Sequence, residues 1–137
     1  MRLTISEEGK KGLSILHFAL LGGLVMMTVV MYLTKDASTL HFDLDFSVFL
    51  IVGLVIAMTA APLGIILSSR KLDEIASETS SSGREDDIRA AFILKWAMIE
   101  GPALINIIFF YLSGNLFHLV ISGMLIILLI LHKPNFE

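Results

Sequence analysis

The chain carries four apolar runs, Leu13 to Leu33, Phe46 to Leu67, Ile88 to Leu112 and Leu116 to Leu131, separated by polar segments. A helix needs roughly 20 apolar residues to cross a hydrocarbon core ~30 Å thick, and the first three runs reach that length. The fourth needs a thin bilayer, flanking residues or partner contacts to span. One such run could be a buried helix of a soluble domain. Four of them in 137 residues, with 55% hydrophobic and only 17% charged side chains, read as membrane helices. The expected fold is all-α: an integral membrane four-helix bundle forming a single membrane domain, residues 1–137, with the lipid bilayer as its solvent.

Orientation follows from the basic residues. Arg2, Lys10, Lys11, Arg70, Lys71, Arg84, Arg89 and Lys133 fall on one side, and Lys35 alone lies in the opposite loop, with Lys95 inside a span. The basic side marks the cytoplasm, so both termini and the polar segment 68–87 are expected inside, in the inner (cytoplasmic) membrane of a cell. Lys10-Lys11 before an apolar run resembles the start of a secretory signal. The run that follows exceeds the ~7–15 residues of a signal core, and no small-residue cleavage pattern closes it. The loop between the first two helices, with Asp36, Asp43 and Asp45, is then outside. Ser113-Gly114-Asn115 reads as a tight turn that makes an antiparallel hairpin of the last two helices, and Ser80 to Gly83 as a flexible break. Asp86 and Asp87 sit in the first turn of the third helix, where the positive end of the helix dipole favours acids.

An internal repeat is also legible. "ILHFALLGG", Ile15 to Gly23, aligns with "ILKWAMIEG", Ile93 to Gly101, sharing Ile, Leu, an aromatic, Ala and Gly at equal offsets. A duplication of this kind predicts two parallel-repeat helical hairpins related by an axis along the membrane normal. Gly22 then stands where Glu100 stands in the second copy.

Glu100 is the residue that asks for a function. An acid at the centre of a span costs about 2.5–3.5 kcal/mol on insertion scales, so it is expected in the bundle interior, in a water-filled pocket or against another subunit. A carboxyl held there can take up and release a proton, or exchange it for a cation. Pro102 has no N–H and leaves the Met98 carbonyl without its helical donor, beside Gly101 and next to the acid. Pro62 does the same for Met58, close to the hydroxyl of Thr59. Trp96, one turn before Glu100, can pack against the carboxyl or anchor at the interface. Lys95 is a possible counter-ion, but it stands roughly 140° around the helix from Glu100 and can snorkel to the cytoplasmic interface. Asn106, like Thr28 and Ser122, can hydrogen-bond between helices. Ala19 to Gly23, Gly53 to Ala57 to Ala61, and Ala97 to Gly101 show the four-residue spacing that lets backbones approach closely.

Other chemistry finds little footing. There is no cysteine, and His17, His41, His118 and His132 have no partners at metal-ligand spacing, so neither a metal nor a cofactor is expected. The net charge of −3 gives no case for nucleic acid. Phosphate-loop, nucleophile and dinucleotide motifs are missing, so the chain is not expected to be an enzyme.

The stretch "AMIEGPALINIIFFYL", an isolated intramembrane Glu between small residues, resembles the ion-carrying helix of the proteolipid c subunit of rotary ATPases. That resemblance implies a ring of hairpins in which Glu100 is the ion carrier. In that family the acid lies on the second helix of its hairpin, whereas Glu100 lies on the first helix of the second hairpin. The whole pattern, four spans with "RAAFILKWAMIEGPAL" and a Lys-Pro after the last, is similar to small uncharacterised four-helix membrane proteins of Bacteroidota. Two functions are therefore expected to compete. One is a small oligomeric membrane protein with a buried titratable Glu100 serving a proton or cation pathway. The other is a non-catalytic accessory or scaffold subunit of a larger membrane complex, with Glu100 as interhelical hydrogen-bonding glue.

Overall fold

The computed structural model describes residues 5–44, 46–77 and 84–135. The expected break at Ser80 to Gly83, together with Asp45, lies outside those residues. Four helices follow one another: α1 (Glu7–Thr34), α2 (Val48–Ser77), α3 (Arg84–Ser113) and α4 (Phe117–Leu131), with one short 3-10 turn at Ala37–Thr39.

Local chemistry sets their ends. Ser6 caps α1 by accepting from the Gly9 amide at 3.1 Å, ahead of Glu7 and Glu8 in the first turn. Ser47 accepts from the Leu50 amide at 3.3 Å at the start of α2. Glu85, Asp86 and Asp87 open α3. That helix ends where Gly114 enters the left-handed region at φ 73°, its amide donating back to the Phe110 carbonyl at 2.7 Å. The Asn115 side chain then accepts from the Phe117 amide at 3.1 Å, which starts α4 and completes the expected tight hairpin.

α1, α2 and α3, of 28, 30 and 30 residues, are long and apolar enough to cross a membrane. At 1.5 Å per residue they measure about 42–45 Å, longer than the hydrocarbon core, so their polar ends reach past it. α4 has 15 residues and measures about 22 Å, short of a full crossing. Both internal prolines, Pro62 and Pro102, lie inside helices that continue through them.

α3 is the axis of the bundle. It packs against α1, α2 and α4, and α1 and α4 as well as α2 and α4 also touch, whereas α1 and α2 make no contact among the described residues. The first two helices are therefore not the packed hairpin that a simple duplication predicts, because α3 lies between them. α1 and α3 run in the same direction: Ser6 meets Glu85, His17 meets Trp96 and Tyr32 meets Phe110, in step along both helices. Ile88, Trp96, Ile99, Ala103, Ile107 and Phe110 of α3 are wholly buried. The face of α1 turned away from α3 shows Ile15, Phe18, Met26 and Leu33 to the surroundings. An apolar exterior of that kind suits lipid.

Each end of the bundle is tied. At the amino end of α1 and α3, Glu85 accepts from the Ser6 hydroxyl at 2.7 Å and the Ser6 amide at 3.3 Å. At the other end the His41 amide donates to the Gly114 carbonyl and the Leu116 amide donates to the His41 carbonyl. Lys35 donates to the Tyr111 carbonyl at 2.6 Å and lies over the Tyr111 ring, placing a cation at the negative end of α3. Asp36 accepts from the Ser38 amide and hydroxyl, which hold its carboxyl below the usual carboxylate range.

Candidate functional site: polar groups inside the bundle

Glu100 follows wholly buried Ile99 and precedes Gly101, around which there is open space. It therefore sits at the edge of the buried face of α3 and is half-buried, not enclosed as expected. Among the described residues its carboxyl makes no hydrogen bond and no ion pair. Lys95 does not reach it: the ammonium lies 4.8 Å from the centre of the Phe92 ring on its own helix. An acid at mid-span with no partner among the described residues is left facing the side of the bundle.

The residues expected around Glu100 have other occupations. Trp96 is wholly buried one turn below, its ring tilted at 52° against His17 of α1 with centroids 4.9 Å apart, and its indole N–H donates to the His132 carbonyl at 2.9 Å beyond α4. It clamps three elements together. The Met98 side chain fills the space over Gly64 of α2, where an added Cβ would strike it. Thr59 is exposed and donates to Val55 of its own helix at 2.7 Å, leaving the Met58 carbonyl unserved by that hydroxyl. Thr28 likewise donates to Leu24 of its own helix at 2.8 Å.

The small residues divide by face. Gly53, Ala57 and Ala61 are buried in the packed side of α2. Ala19, Gly23 and Ala97 are exposed on the single chain, and Gly23 and Gly101 have nothing within 4 Å of an added Cβ.

The densest polar constellation lies elsewhere. Asn106, wholly buried, donates from its amide nitrogen to the Gly53 carbonyl of α2 at 3.2 Å and to the Pro102 carbonyl at 2.9 Å. Its amide oxygen is 3.0 Å from Nδ1 of His118 on α4, also wholly buried. One layer towards the opposite end, Ser122 donates to the Ala103 carbonyl at 3.1 Å. Further still, His17 Nε2 and His132 Nδ1 each donate to a terminal carbonyl of α4, Leu129 and Leu128, both at 2.8 Å. These bonds join the helices in an environment where few waters could replace them. The pairing of Asn106 with His118 is not visible residue by residue, because the two are on different helices. Its signal is the tight turn: from it, the pairs 106 with 118, 103 with 122 and 96 with 132 move outward in order along an antiparallel hairpin.

Four imidazoles and the acids remain apart. No group of three or more His, Cys, Asp or Glu able to hold a metal occurs among the described residues. A separate apolar groove of about 470 Å³ lies between α2 and α4, lined by Leu54, Ala57, Met58, Ala61, Pro62, Ile121, Met124, Leu125 and Leu128. The chain matches no protein-family model, no curated protein and no solved structure.

Proposed function

We propose that the protein is a small multi-pass protein of the inner membrane, with both termini in the cytoplasm, that assembles with copies of itself or with other membrane subunits and uses Glu100 as a proton- or cation-exchanging carboxyl. The observation that carries this reading is the placement of Glu100: half-buried, at mid-span, on the flank of the bundle, with no hydrogen bond or ion pair among the described residues. A carboxyl meant only to glue this bundle together would bond across to α1, α2 or α4, as Asn106 and Ser122 do. A carboxyl that meets another surface in turn is free to gain and lose a proton as its surroundings change. The sequence repeat pairing Gly22 with Glu100 belongs to the same reading, with the acid kept in one copy.

Carbodiimide labelling in native membranes tests it. Adduct on Glu100 that forms slowly at high pH and is reduced by a competing cation is the expected result, and labelling indifferent to both overturns ion exchange. A second reading is a non-catalytic accessory subunit, favoured by Gly22, Gly23 and Gly101, which leave room for a neighbouring helix to approach. Glu100→Gln separates the two, since glutamine keeps hydrogen bonding and removes titration. Intact assembly with lost ion flux in proteoliposomes supports exchange; lost assembly supports docking.

A further inference from the structure

The protons of the Asn106–His118 pair can be placed by elimination. The Gly53 and Pro102 carbonyls can only accept, so both Asn106 amide hydrogens are committed to them and the amide oxygen is the atom facing His118. That oxygen also only accepts, so Nδ1 of His118 carries the hydrogen across the 3.0 Å contact. In the neutral ring Nε2 is then a bare acceptor, and it is buried with no hydrogen-bond partner among the described residues. Protonation would make it a charged donor with nothing to receive its hydrogen. The ring is wholly buried, beside Gly53 and edge-on to Phe109. An unpaired buried charge is far more costly than an unmatched neutral acceptor.

We propose that His118 is a proton-operated latch: neutral, it locks the amino end of α4 onto α2 and α3 through Asn106, and protonated, it leaves the core and frees that end of the helix. Among the described residues no carboxylate is bonded to the His118 ring. Arg70, Lys71, Asp73 and Glu74 are at the far end of α2, Lys95 and Glu100 lie towards the far end of α3, and α4 has no acidic or basic residue besides His118. α1 brings only Lys35 and Asp36, just past its end, to this level. The loop crossing the end of the bundle adds His41 and Asp43. Lys35 is bonded to Tyr111, Asp36 to Ser38 and the His41 ring to the Thr39 carbonyl, while Asp43 grips Asn115 through its backbone.

Because opening takes up a proton, its equilibrium constant should rise about tenfold per pH unit below the titration point. The test uses the whole protein, with ¹⁵N-labelled histidine, in lipid nanodiscs. At about pH 8 the His118 ring should be neutral with its hydrogen on Nδ1. Between about pH 8 and pH 5, amide exchange in the first turn of α4, corrected for intrinsic rates, should accelerate at least about tenfold. His118→Gln should abolish the response, Asn106→Asp should suppress it by giving the imidazolium a carboxylate, and His41→Gln and Asp43→Asn should leave it unchanged. A neutral ring protonated on Nε2, exchange that ignores pH, or a response removed by His41→Gln would each overturn the latch. Should the core variants not fold, the wild-type tautomer and exchange profile decide the matter alone.

Discussion

Gly53→Ala probes the packing of the polar layer directly. An added Cβ would collide with the Asn106 amide oxygen and come within 3.3 Å of both Asn106 Cγ and His118 Cε1. Neither neighbour can retreat: Asn106 is held by three hydrogen bonds and His118 is wholly buried. Overpacking of this kind costs about 1–3 kcal/mol, and displacing Asn106 forfeits an interhelical hydrogen bond worth about 0.6 and at most about 1.7 kcal/mol. Alanine returns about 1 kcal/mol of helix propensity. The net loss is about 2 kcal/mol, or roughly thirtyfold in the folded-to-unfolded ratio. Gly22→Ala is the matched control, since nothing lies within 4 Å of its added Cβ and only the propensity gain applies. Reversible denaturation of both variants in mixed micelles measures the difference. Equal stability of Gly53→Ala and Gly22→Ala would refute the reasoning.

Gly114→Ala should destabilise the α3–α4 turn by more than 1 kcal/mol or so, because φ is 73° and an added Cβ would strike the Thr39 carbonyl; the same denaturation assay reads it. Trp96→Phe keeps the ring contact with His17 but removes the donor to the His132 carbonyl, so the segment after α4 should lose amide protection while α1 stays docked. Ser6→Ala removes both the α1 cap and the hydroxyl that Glu85 accepts from, at a cost of about 1 kcal/mol for the cap alone. The Asp36 carboxyl is held below its usual range first by the Ser38 amide and then by the Ser38 hydroxyl. Its contribution is therefore complete above the ordinary carboxylate value and lost as pH falls through the lowered one. Exchange at the Ser38 amide should rise only in that acid window, and Asp36→Asn should flatten the profile.

The spans were legible because bilayer thickness fixes a length and length is countable. The Ser113–Asn115 turn was legible because a glycine between two helix-breaking polar residues demands it. The neighbourhood of Glu100 was not. Helical spacing placed Trp96 and Lys95 around the acid correctly as positions on one helix, but what each side chain does depends on α1 and α4, which no single-helix argument contains. His118 follows the turn closely, and only the hairpin brings it opposite Asn106.

The arrangement of the helices also inverts the usual reading of apolarity. Of the three long helices α3 is the least apolar and the most buried, whereas α1 and α2 are more apolar and more exposed. In water the most hydrophobic element goes to the centre; in lipid the exterior is as apolar as any leucine, and association rests on packing and hydrogen bonds. The helix that holds Asn106, Trp96 and the Ala103 carbonyl partnered by Ser122 is the one that rewards being surrounded. α1 and α2 make no contact among the described residues, each packing on α3 and α4 instead. Among the described residues, Glu100 of mid-span α3 makes no hydrogen bond and no ion pair. On the function proposed above, a surface from outside the chain, or a proton, completes it.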